Sequence, residues 1–126
     1  MRDHNTNTKT DLKGRAYFYG LEIIKFIDSL NNKDSTSQII AKQLLRSATS
    51  IGANIVEAQA GSTKKDFTNF FSYALKSANE TKFWLGLLRD SGKAEENMVN
   101  KLLQETSELS NILGSSILTL KGKRKF

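Results

Sequence analysis

The chain contains no cysteine, which removes disulfides, thiolate nucleophiles and cysteine-based metal sites together and fits a cytoplasmic location. It contains no proline, so nothing rigid interrupts a helix. Its single histidine, His4, lies in a polar N-terminal stretch. Without a histidine on a helix, the Glu-x-x-His pairs of carboxylate-bridged di-metal bundles cannot form. A haem bundle needs an axial histidine or methionine on a helix, and Met98 alone is too little. Small helical ribonucleases of the toxin class pair an arginine with a helical histidine, and that pair is missing too. No Gly-rich phosphate loop of the Walker type occurs. Two carboxylates, Glu57 and Glu80, could approach across neighbouring helices, but without histidine they read as hydrogen-bond acceptors. No apolar run approaches the roughly 18 residues of a membrane span, and Met1 to Asp11 carries no apolar stretch of a signal peptide. These absences predict a protein with no cofactor, no metal, no membrane partner and no catalytic residues.

What remains is a chain of 126 residues, 38% apolar, the size of one domain with one core. The net charge is +6, and it is unevenly spread. Lys121, Lys123, Arg124 and Lys125 crowd the C-terminus, while the body from Gly14 to Leu120 is close to neutral. The organisation expected is a disordered arm over 1–13, a helical body over 14–120 and a basic tail over 121–126. Such a tail either binds nucleic acid or only solubilises the end.

Hydrophobic spacing predicts four helices. The first runs from about Arg15 to Leu30 with Phe18, Leu21, Ile24 and Leu30 inward. The second opens at a capping box, Ser35-x-x-Gln38, and buries Leu44, Ala48, Ile51, Ile55 and Ala58. Gly61 is its expected left-handed stop. The third opens at Thr63-x-x-Asp66, buries Phe67, Phe70, Phe71, Ala74, Ala78, Leu85 and Leu88, and stops at Gly92. The fourth runs from about Ala94 to Leu120 and buries Val99, Leu102, Leu103, Leu109, Leu113 and Ile117. Its acids Glu95 and Glu96 face the positive helix end. Short connections make neighbours antiparallel, so the expected fold is all-α, an up-down-up-down four-helix bundle.

A polar stripe borders the apolar face of the second helix: Ser47, Ser50, Asn54 and Glu57. The third helix carries a matching band of Tyr73, Ser77, Glu80 and Trp84. Such groups beside a core need hydrogen-bond partners, since each unsatisfied buried group costs roughly 1–3 kcal/mol. The bands either satisfy each other between helices, form a subunit interface, or line a chemical site. Gly20, Gly52, Gly86 and Gly114 sit one to a helix, each at a cost of about 1 kcal/mol relative to alanine. Close backbone approach or chance tolerance accounts for them.

The block Gln43-Leu44-Leu45-Arg46-Ser47-Ala48-Thr49-Ser50-Ile51-Gly52-Ala53-Asn54-Ile55-Val56-Glu57-Ala58 resembles the signature of the bacterial 23S rRNA intervening-sequence proteins. Ser62-Thr63-Lys64-Lys65-Asp66-Phe67 and Ala74-Leu75-Lys76-Ser77-Ala78-Asn79-Glu80-Thr81 follow in the same pattern, and the likeness extends from about Ala16 to Leu120. The resemblance implies a four-helix bundle assembled as a homopentameric barrel, which would give the stripes and glycines an interface role. It also implies kinship with the accessory variability determinant of diversity-generating retroelements, a protein that binds nucleic acid and a reverse transcriptase. That relative has a strongly basic surface, whereas the body here is nearly neutral.

The function expected is therefore a non-catalytic, oligomeric RNA- or DNA-binding accessory protein. The alternative is a protein-binding scaffold. Candidate phosphate contacts are Lys42, Arg46, Lys64, Lys65, Lys76 and Lys82 on the body and Lys121, Lys123, Arg124 and Lys125 on the tail. Arg46 also reads as an ion-pair partner of Glu57 or of a neighbouring subunit.

Overall fold

The computed structural model describes residues 11–31, 34–61 and 63–122. They form four helices, α1 (Leu12–Ser29), α2 (Ser35–Ala60), α3 (Lys64–Asp90) and α4 (Glu96–Leu120), packed as an antiparallel four-helix bundle. Each helix lies beside its neighbours in the chain, and α4 returns to α1 to close the square. The α2–α3 contact is the most extensive, α3–α4 and α1–α2 follow, and α1–α4 is thin.

Helix starts are set by side-chain acceptors. The Asp11 carboxylate accepts from the Gly14 amide at 2.5 Å, Asp34 from Ser37 at 3.0 Å, Thr63 from Asp66 at 3.0 Å and Glu95 from Asn97 at 2.7 Å. Each satisfies a backbone N–H that the first helical turn leaves without a partner. Two starts differ from the spacing-based reading. α1 begins at Leu12, ahead of Arg15, so Leu12 and Lys13 are helical and not part of an arm; residues 1–10 lie outside the described residues. α2 is capped by Asp34 in place of Ser35. Asp34 also meets Lys93 Nζ at 2.9 Å, an anchor that a serine one residue later could not supply.

The helix stops also divide. Gly92, with φ 76°, ends α3: its amide donates to Arg89 at 3.1 Å and that of Lys93 to Leu88 at 3.0 Å, the paired bonds of a left-handed helix stop. Gly61, expected to do the same for α2, has φ −69°. What requires glycine there is space, because an added Cβ would lie 3.3 Å from both the Ala58 carbonyl oxygen and Asp66 Cβ.

The core draws on all four helices, with Ile23, Leu44, Ile55, Leu85, Leu109 and Leu113 fully buried. Each such side chain contributes roughly 1.5–3 kcal/mol by leaving water. The stripe expected of α2 is buried throughout. The face expected of α1 is not the one used. Ala16, Tyr19, Ile23 and Phe26 point inward, while Leu21 and Ile24 are about 40% and 42% exposed. α1 is apolar over most of its circumference, and spacing alone does not choose between two adjoining apolar faces. Of the four interior glycines, only Gly52 meets a neighbouring helix, its added Cβ reaching Ala16 Cβ at 3.5 Å; Gly20, Gly86 and Gly114 face open space.

Candidate nucleic-acid interface

The two polar bands lie on the facing sides of α2 and α3. Thr81 and Ser47 pair at 2.9 Å, and Ser77 donates to Ser50 at 2.9 Å. Asn54 turns back on its own helix, donating to the Ser50 hydroxyl at 3.0 Å and carbonyl at 2.9 Å. At the rim Arg46 forms an ion pair with Glu80, and Trp84 Nε1 donates to the same carboxylate at 2.9 Å. Gln43 accepts from Arg46 at 3.1 Å. Glu57 and Tyr73 are exposed and stand apart from this network. Thr81, fully buried, was missed by the sequence reading, although it follows Ser77 at the helical spacing of four. Arg46 is thus spent on Glu80, and not on Glu57.

A second polar contact joins α1 to α4. Tyr19, 2% exposed, hydrogen-bonds Thr106, whose hydroxyl lies 2.6 Å from the Leu102 carbonyl as a donor. Thr106 has one proton and gives it to that carbonyl, so the tyrosine is the donor in their pair. Burial pushes the Tyr19 phenol well above its ordinary value. Arg15 bridges Glu105 and Glu108, each at 2.8 Å. The hydrogen bonds it donates to both carboxylates, Glu105 first, raise its already high pKa.

The candidate cations differ in availability. Lys42, Lys64, Lys65, Lys76 and Lys121 are exposed and Lys82 half-buried, and none forms an ion pair among the described residues. Lys123, Arg124 and Lys125 lie outside the described residues and follow directly on Gly122. Antiparallel packing sorts the charges along the bundle. The start of α1, end of α2, start of α3 and end of α4 meet at one pole, where residues from all four line a common groove. Lys13, Lys64, Lys65 and Lys121 stand at this pole together with Asp11, Glu57 and Asp66. The other pole carries Asp28, Asp34, Asp90, Glu95 and Glu96, with Arg89 and Lys93 drawn into ion pairs to Asp90 and Asp34. Lys42, Lys76 and Lys82 lie along the flanks.

Between α1 and α2 runs an apolar groove of about 310 Å³ edged by Tyr17, Leu21, Ile24 and Val56 and floored by Ala16 and Gly52. Among the described residues, no three acidic or histidine side chains gather as a metal-binding group, and no helix is long and apolar enough to cross a membrane.

Comparison with known proteins places the chain in context. The 23S rRNA-intervening sequence protein family matches residues 9–115. A solved structure from Bacteroides thetaiotaomicron, described as a protein of unknown function from the S23 ribosomal protein family, superposes with a TM-score of 0.79 at 34% identity. That match covers 85% of this chain and 98% of the other. No curated protein matches the chain.

Proposed function

Because the chain belongs to the 23S rRNA-intervening sequence protein family, we propose that it is a non-catalytic, homo-oligomeric accessory protein of the cytoplasm that binds RNA or DNA. The observation that carries the reading is the imbalance in how charge is used. Asp11, Asp34 and Glu95 are turned onto backbone N–H groups at helix starts, and Glu80, Glu105 and Glu108 are held by arginines. Among the described residues Lys42, Lys64, Lys65, Lys76, Lys82 and Lys121 have no ion-pair partner, and they outnumber the acids left without one, Glu22, Asp28, Glu57, Asp66 and Glu96. Free lysines displace condensed counterions from phosphates without reading base sequence, so binding is weakly sequence-specific and strongly salt-dependent.

Self-association uses the α1–α2 groove. Tyr17, Leu21, Ile24 and Val56 line it and are each about 39–48% exposed, an apolar surface of the kind that marks protein interfaces. Apart from the exposed Glu57 and Tyr73, the polar bands of α2 and α3 are already paired within one chain. A homopentamer is the assembly that the family resemblance implies, and a retroelement reverse transcriptase is the protein partner that its accessory members suggest. The same apolar face favours the second reading, a protein-binding scaffold without a nucleic-acid role.

The test is RNA and duplex DNA binding across a salt series, with the full chain beside a version ending at Leu120. Affinity falling steeply with salt, and a slope flattened by about 2–4 on truncation, is the expected result. Absence of binding by either version at about 50 mM salt leaves the scaffold reading.

A further inference from the structure

The outer face of α3 is apolar where a surface helix is ordinarily polar. Tyr73, Phe83 and Leu87 recur along it at helical spacing and are 39–58% exposed. The two rings meet neighbours on the same helix, Tyr73 against Phe70 and Phe83 against Trp84. The chain therefore carries two uncovered apolar faces, this ridge and the α1–α2 groove. They match in length and in height along the bundle. The groove runs along α1 from Lys13 to Ile24, about 16 Å at the helical rise, and Tyr73 and Phe83 lie about 15 Å apart along α3. The Ser47–Thr81 and Ser50–Ser77 hydrogen bonds fix α3 against α2, setting Tyr73 level with Asn54 and Phe83 level with Leu44. Gly52 beside Ala16 fixes α2 against α1, setting Leu44 level with Ile24. Tyr73 thus stands at the height of the Val56 end of the groove, and Phe83 at the height of the Ile24 end.

We propose that copies of this chain stand side by side in the same direction, the outer face of α3 of one copy seated in the α1–α2 groove of the next. Rotation about an axis parallel to the helices keeps every residue at its own height, so the matched levels suit a head-to-tail contact that closes into a ring. A groove-to-groove dimer covers one face and leaves Tyr73 and Phe83 in water, whereas the head-to-tail contact covers both faces in every copy. The exposed apolar side chains of the two faces amount to roughly 700 Å², each face a patch of ordinary functional size. At the roughly 60% apolar share of an interface, they account for about 1,200 Å², the lower end of stable contacts. Ala16, Gly20, Gly52 and Ala53 keep the groove open to a ring. The inference rests on the self-association reading above and adds the surface that fills the groove.

The chain has no cysteine, so introduced thiols report the contact directly. Val56→Cys and Tyr73→Cys are made as separate full-length variants, mixed, and treated with a short bismaleimide. The mixture is expected to give a crosslinked dimer, while neither variant alone crosslinks to itself. Two further variants block one face each. A Cβ added at Gly20 meets nothing within 4 Å, so Gly20→Leu fills the groove without a clash, and leucine is the better helix former. Phe83→Ser removes the most exposed ring of the ridge. Each is expected to lower the mass seen by light scattering to that of a monomer where the parent is assembled, with helical circular dichroism and cooperative melting retained. Mixed one to one, Gly20→Leu with its ridge and Phe83→Ser with its groove should form a dimer and nothing larger. Val56→Cys crosslinking to itself, or Phe83→Ser assembling like the parent, overturns the proposal in favour of a groove-to-groove contact. A parent that stays monomeric at every concentration fails the self-association reading itself.

Discussion

Two contacts in this bundle carry buried hydroxyl pairs, and they bear weight differently. Between α2 and α3, helices of 26 and 27 residues, the pairs Ser47–Thr81 and Ser50–Ser77 sit within a long interface that also includes Ala48, Ala74 and Ala78. Each buried hydroxyl there has a second acceptor on its own helix: Thr81 reaches the Ser77 carbonyl at 2.7 Å and Ser47 the Leu44 carbonyl at 3.3 Å. Between α1 and α4 the interface is thin. Tyr19 is there both the apolar anchor and the hydrogen-bond donor, and Arg15 is the outer clasp. Similar chemistry is redundant at one contact and concentrated at the other. α1 is therefore the element expected to open first when stability falls.

The largest expected effect breaks the concentrated contact. Tyr19→Ala removes a ring that is almost wholly buried and should cost about 3–5 kcal/mol, read as a lowered denaturant midpoint. Tyr19→Phe keeps the ring and loses only the bond to Thr106, which retains the Leu102 carbonyl; about 1 kcal/mol is expected. Hydrogen exchange should show α1 amides opening before those of α3, and equal protection of the two helices would contradict the comparison. Next in size, Thr81→Val strips a hydroxyl from the redundant contact. A loss of about 1 kcal/mol is expected, since Ser47 keeps its own backbone acceptor. A loss above about 3 kcal/mol, the top of the range for one unsatisfied buried group, would mean the α2–α3 pairs are not redundant.

The redundant contact was the legible one. On α2 the apolar residues Leu44, Ala48, Ile51, Ile55 and Ala58 alternate with a polar flank, so spacing identified both the core face and the bands. On α1 no polar flank separates Phe18, Leu21 and Ile24 from Tyr19, Ile23 and Phe26, and the inward face could not be chosen from one helix alone. The same ambiguity hid the apolar groove, because Leu21 and Ile24 were assigned to the core. Capping residues were recognised as a class, but Asp34 prevails over its neighbour Ser35 through Lys93, which lies 59 positions away in the chain. Of the lysines at the pole where α1 starts, Lys64, Lys65 and Lys121 were named from sequence and Lys13 was not. Their gathering at one end follows only from helix direction.

The clasps at the two rims sharpen the comparison at a smaller scale. Arg15 is 23% exposed and holds two carboxylates, whereas Arg46 is 56% exposed and holds one. Exposed ion pairs typically contribute about 0.2–1 kcal/mol. Arg15→Gln is expected near the upper limit, because Glu105 and Glu108 then face each other without a cation, and Arg46→Gln near the lower. The Arg15 effect should shrink in about 1 M salt, where charges are screened within roughly 3 Å. Equal midpoints for the two variants at low salt would remove the distinction between the contacts.

The smallest effect concerns the acidic pole, where Asp34 and Lys93 tie the α1–α2 connection to the α3–α4 connection. The Asp34 carboxylate is held well below its ordinary value, chiefly by the hydrogen bond from Lys93 and then by the Ser37 amide. A carboxylate whose pKa is lower folded than unfolded binds its proton more weakly in the folded state. Its contribution is fully present above the unfolded value of about 3.9 and is lost as pH falls through the lowered folded one. Asp34→Asn keeps a good helix cap but cannot titrate. The parent should therefore lose more stability than Asp34→Asn between pH 6 and pH 2, with the two curves running parallel above about pH 5. Parallel curves over the whole range would show that this tie contributes nothing, and that α1 is held at its C-terminal end by packing alone.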